Sequence, residues 1–150
     1  MKTRKVKGFT LVELIVVIAI IGVLAAILVP SMLGYVKKSK VSSMNSNAKS
    51  LYDAVATSLV EIDSEGNSVA DNDYTYDSSH SNPSNIDIKI ENFFADISQL
   101  NVASFTVDSM ACTAAYCADA TYCGGYPVGS TVENGVLGGA TVFTLADAAR

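Results

Sequence analysis

From Phe9 to Val29 the chain carries 21 residues with a single charge, Glu13. No other feature constrains the fold as strongly. As an α-helix such a run is about 31 Å long, the thickness of a bilayer's hydrocarbon core. Four basic residues (Lys2, Arg4, Lys5, Lys7) precede it and no acidic residue accompanies them. Everything behind it is polar and acidic. Without Met1–Gly8 the formal charge moves from −5 to −9, because 6 basic residues then face 15 acidic ones. Basic residues before the run and an acidic body behind it predict a single pass with the N-terminus in the cytoplasm and the body outside.

Three readings account for the first thirty residues. A secretory signal peptide has an apolar core of about 7–15 residues and a small-residue cleavage site. This run is longer and ends in Val29-Pro30-Ser31. A plain membrane anchor fits the length but leaves Glu13 unexplained, and a carboxylate at mid-bilayer costs about 2.5–3.5 kcal/mol on insertion scales. The third reading rests on Lys7-Gly8-Phe9-Thr10-Leu11-Val12-Glu13-Leu14. This string resembles the prepilin cleavage motif of type IV pilins and type II secretion pseudopilins, closely over about Lys5–Pro30 and loosely over the next thirty residues.

The resemblance implies a leader, residues 1–8, cut directly after Gly8 by a prepilin peptidase that also N-methylates Phe9. It implies a membrane and polymerisation helix over 9–30, in which Glu13 of an incoming subunit pairs with the Phe9 amine of a neighbour and sets the axial register. An intramolecular salt bridge or a snorkelling side chain is the alternative for Glu13. Gly22 and Pro30 fall where the family often carries helix-weakening residues. Either the segment between them stretches in the filament, or Pro30 marks where the helix leaves the membrane and bends.

Beyond Pro30, Val41, Met44, Ala48, Leu51, Val55, Leu59 and Ile62 recur at three- and four-residue spacings. That is one helical face. Ser42, Ser43, Asn45, Asn47, Lys49 and Ser50 form the polar opposite face, and Asp63-Ser64-Glu65-Gly66-Asn67 reads as the stop. An amphipathic extension over 31–63 is therefore expected, with a head over 64–150. The expected class is α+β: one long N-terminal helix packed against a small antiparallel β-sheet.

In the head, residues 67–85 read as a polar loop containing the chain's one histidine, His80. Ile86, Ile88 and Ile90 alternate with Asp87 and Lys89 as a half-buried strand would. Phe93, Phe94, Ile97 and Leu100 suit a short helix, and Val102–Val107 and Ala140–Leu145 suit strands. Residues 108–139 show no clear periodicity. They hold Cys112, Cys117 and Cys123, whose spacing lacks a C-x2-C pair and a nearby histidine, so zinc is not expected. In an exported domain one disulfide among the three is expected, with the pair left open. Asp71-Asn72-Asp73 lacks the glycine and closing glutamate of a calcium loop.

No nucleophile–base pair, metal spacing or phosphate-cradling loop stands out, so neither enzymatic activity nor a cofactor is expected. So acidic a body is a poor direct binder of nucleic acid. The resemblance implies a structural pilin or pseudopilin that partners with itself and other pilins, with the peptidase, with an inner-membrane assembly platform and its ATPase, and with lipid before assembly. It would pass from cell membrane to extracellular filament. The alternatives are a minor subunit whose head binds DNA, a surface or an export substrate, and a monomeric membrane-anchored domain.

Overall fold

The computed structural model describes residues 8–79, 81, 82, 85–138 and 142–149. The leader before Gly8, His80 and Pro83 lie outside them. The chain divides into two units, Met1–Val36 and Lys37–Arg150.

Helix α1 spans Leu11–Ser64, with Pro30 inside it. In the first unit it is apolar on every side and exposed: Ile15, Ile18, Ile21, Leu24 and Leu28 are all more than half accessible. A helix hydrophobic all round belongs in lipid or in a core. In the second unit its apolar stripe is buried. Val41, Met44, Ala48, Leu51, Val55, Leu59 and Ile62 are enclosed as their spacing predicts, and Ala54 and Ser58 join them. The helix ends in a Schellman motif. Gly66 has φ +78°, the Gly66 N–H donates to the Asp63 carbonyl, and the Asn67 N–H donates to the Ile62 carbonyl.

The sheet is four-stranded and antiparallel, in the order β1 (Asn72–Thr75), β2 (Val102–Asp108), β3 (Ala111–Ala118), β4 (Cys123–Tyr126). The β2–β3 register slips between Thr106, opposite Ala114, and Val107, opposite Cys112. Thr113 is the extra residue, and the bulge turns Cys112 to the same face as Ala115 and Cys117. That face packs on the α1 stripe around Phe105, the largest of the fully buried side chains. Ala114, Ala118 and Cys123 lie on the other face, covered by Phe143 and by Ala148 of α3 (Leu145–Ala148).

Three sequence expectations for the head are corrected. Residues 86–93 form a helix, α2 (Ile86–Phe93), not a strand. Ile86 and Ile90 are fully buried while Ile88 is 43% exposed. A spacing of four therefore governs burial, and short isoleucine runs satisfy both periods. A 3-10 turn over Ala95–Gln99 follows and buries Ile97. The expected C-terminal strand is not seen in the described part of 140–145. Val142–Thr144 is non-strand chain leading into α3, held by the Phe143 N–H donating to the Asn134 carbonyl, and Thr144 and Asp147 form a capping box. β1 arises inside the stretch read as loop, and β3 and β4 inside the stretch without periodicity.

Candidate functional site

The N-terminal segment opens on Gly8, Phe9 and Thr10, all exposed and non-helical. Thr10 starts the helix through a capping box. The Glu13 carboxylate accepts hydrogen bonds from the Thr10 N–H at 2.9 Å and the Thr10 hydroxyl at 2.6 Å. The Glu13 N–H donates back to Thr10 Oγ1 at 3.3 Å. Among the described residues, Glu13 is held by these hydrogen bonds to the start of the helix. Phe9, the residue before Thr10, is 80% exposed. Gly22 and Pro30 sit further along α1, both on its exposed surface. Among the described residues α1 is the one helix long and apolar enough to cross a membrane, with a mean hydropathy of 3.1 over its most apolar stretch.

In the head, α1 is fastened to β4 by a residue that pattern reading put on the polar face. Asn45 Oδ1 accepts from the Gly125 N–H (3.1 Å), the Ser130 N–H (2.9 Å) and the Ser130 hydroxyl (3.1 Å). Its Nδ2 donates to the Ser130 carbonyl at 2.9 Å. An asparagine beside the apolar stripe, where a helix interior disfavours it, was the available signal.

The three cysteines are free and buried, so the expected disulfide does not form. Cys112 and Cys117 lie along one strand five residues apart, beyond the reach of a bridge. Cys117 and Cys123 sit on neighbouring strands but offset by one, since Cys117 faces Gly124. They therefore point to opposite faces of the sheet. Burial pushes the Cys112 and Cys117 thiols up to about 12, far from the thiolate a reactive cysteine needs.

Asp87 is the one charged-type side chain among the described residues that is wholly enclosed. Asn82 Nδ2 donates to its Oδ1 at 3.0 Å, while Oδ2 has no partner. Burial raises its pKa, opposed by the hydrogen bonds from Asn82 and from the Asp77 backbone. Nearby, the Tyr76 hydroxyl donates to Glu91, and its pKa is pushed up to about 12 by burial and by that carboxylate. Lys89 bridges Glu65 at 2.7 Å and Glu61 at 3.5 Å, tying α2 to the end of α1. Among the described residues no cluster of His, Cys, Asp and Glu is arranged to hold a metal.

Comparison with known proteins bears on the N-terminal segment. The family model for the prokaryotic N-terminal methylation motif matches residues 3–29. The chain is 46% identical over 57 residues to the type IV major pilin protein PilA of Myxococcus xanthus, which covers 38% of this chain and 26% of that one. It is 46% identical over 55 residues to the type IV major fimbrial protein FimA of Dichelobacter nodosus, and likewise to the type IV major alpha-pilin of Moraxella bovis. Each of these two matches covers 37% of this chain and 35% of the relative. The chain thus spans about a quarter to a third of these relatives' length. No solved structure matches it. The motif match lies on the apolar half of α1 and the residues that start it, and with these relatives it makes the chain similar to type IV pilins.

Proposed function

We propose that the chain is a structural subunit of a type IV pilus-like filament, made as a precursor and assembled through its N-terminal helix. One observation carries the reading: the methylation motif lies on a helix whose apolar surface is unburied on every side, attached to a head with its own closed core. Such a helix rests in lipid before assembly and packs against copies of itself afterwards.

Residues 1–8 are the leader, and a prepilin peptidase cuts after Gly8, which stands exposed and non-helical before the capped helix. Phe9 becomes the methylated N-terminus. Residues 9–30 serve as the membrane and polymerisation helix, 31–63 as the spine of the head, and 64–150 complete the head. The new ammonium on Phe9 and the Glu13 carboxylate of a neighbour offset each other's cost in the apolar filament core. The relatives named above are major pilins, which favours a major subunit over a scarce tip protein. The assembly platform and its ATPase are the remaining partners, and the head acts as a displayed surface, not as an enzyme.

The test is mass spectrometry of filaments sheared from cells that express the chain with a prepilin peptidase. The expected product starts at N-methylated Phe9 and dominates the sheared protein. An uncut chain confined to the membrane fraction would overturn the proposal, and Gly8 replaced by a bulky residue should reproduce that failure.

A further inference from the structure

Lys37, Lys38 and Lys40 lie within one turn of α1, all exposed. Nothing on their own helix compensates them. No residue three or four positions away is acidic, and the nearest carboxylates along the chain are Glu13 and Asp53. Asp53 is thirteen residues beyond Lys40, about 20 Å along a helix and more than twice the Debye length of about 8 Å at physiological salt. Among the described residues none of the three lysines forms an ion pair. The other described cations are engaged: Lys89 with Glu65 and Glu61, and Lys49 over the Tyr126 ring at 6.0 Å.

The rest of the molecule carries the opposite excess. Residues 41–150 hold 14 acidic against 3 basic residues, so heads brought close together repel. Many of these carboxylates are used locally, as in the Lys89 bridges, the Tyr76–Glu91 bond and the Asp147 capping box. At one end of the sheet edge three others gather. The β1–β2 register sets Asn72 against Val107 and Asp73 against Thr106, which brings Asp71, Asp73 and Asp108 together. All three are exposed, and their hydrogen-bond donors are neutral: the Ser109 N–H, the Thr106 hydroxyl and the Ser109 hydroxyl.

We propose that the Lys37/Lys38/Lys40 collar is an assembly surface that docks on the Asp71/Asp73/Asp108 edge of a second copy of this chain. Three uncompensated ammonium groups meet three uncompensated carboxylates, so a single contact satisfies both and relieves the repulsion between heads. It rests on the filament reading and adds to it a contact outside the apolar helix bundle. Such complementary charge sets register and rejects wrong neighbours more than it adds raw affinity.

The test is a charge swap in the full chain, read as sheared filament protein, with leader cleavage in the membrane fraction as the control for insertion and folding. The chain carrying Lys37→Glu, Lys38→Glu and Lys40→Glu should be cut normally and should yield about tenfold less filament, because like charges then oppose each other. Asp71→Lys, Asp73→Lys and Asp108→Lys together should do the same. The two sets combined in one chain should restore filaments. Filaments from both single sets, or no recovery in the combined chain, would overturn the inference. So would a collar variant that leaves the membrane fraction while the edge variant assembles normally, which would assign the lysines to anionic lipid headgroups. Absence of filaments from the unaltered chain would instead remove the filament reading itself.

Discussion

Asn45 shows how much one amide can carry. Its side chain meets two backbone N–H groups, one hydroxyl and one carbonyl on the β4 side of the head. Asn45→Ala would strand the Gly125 and Ser130 N–H groups in a part-buried site, and each unsatisfied donor costs about 1–3 kcal/mol. A loss of about 2–4 kcal/mol is expected, seen as a lower denaturant midpoint with an unchanged slope. Asp87 offers a prediction of the opposite sign. Its pKa is raised in the fold, so between the unfolded value and the raised one the native state holds more protons. Stability from this group is greatest at acid pH and falls as pH rises through that window. Asp87→Asn should flatten the dependence and melt above the unaltered chain at pH 7, with the gap closing near pH 4. Thermal melts of the detergent-solubilised chain at both pH values check it, and a gap that widens towards acid would contradict the burial of a charge there. Asp87 was not legible in the sequence, and Asn45 only as an asparagine beside the apolar stripe, because both act through long-range contacts that periodicity does not encode.

At the scale of elements, what could be read depended on length. The α1 stripe from Val41 to Ile62 spans six turns, and over that distance a period of three and four admits one interpretation. The helix stop was legible as well, since Gly66 takes the positive φ that its position after Asp63-Ser64 suggests. Short elements were not. Ile86–Phe93 fits either period, and β3 is alanine-rich and bulged at Thr113, which breaks the alternation a strand would show. β4 is half glycine for a reason only packing reveals. A Cβ on Gly124 would sit 2.3 Å from the Met44 carbonyl carbon of α1, and one on Gly125 would sit 2.4 Å from the Phe143 ring. The two glycines let a helix and an aromatic ring press on opposite faces of one thin strand. Gly124→Ala should therefore push α1 from β4 and cost about 2–3 kcal/mol, as overpacking does. The loss should coincide with earlier hydrogen exchange at the Gly125 and Ser130 amides that Asn45 holds. A variant as stable as the unaltered chain would mean that helix and sheet are not closed together there.

At the scale of the whole molecule, the proposed filament must order an N-terminal helix that is exposed on every side in the single chain. Under the filament proposal Glu13 is decisive because it has two separable duties. As a capping residue it accepts hydrogen bonds from Thr10 and starts the helix. As a charge it would meet the Phe9 ammonium of a neighbour in the filament. Glutamine performs the first duty, since a capping box accepts Glu or Gln, but not the second. Glu13→Gln should leave membrane insertion and cleavage after Gly8 intact yet abolish sheared filaments, and Glu13→Val should do the same with a weaker helix start. The reasoning follows from cost: an unpaired ammonium in an apolar bundle carries several kcal/mol that a neutral amide cannot offset. Were Glu13→Gln to assemble normally while Glu13→Val did not, the carboxylate would be a helix cap alone, and the register between subunits would have to come from contacts made by the heads.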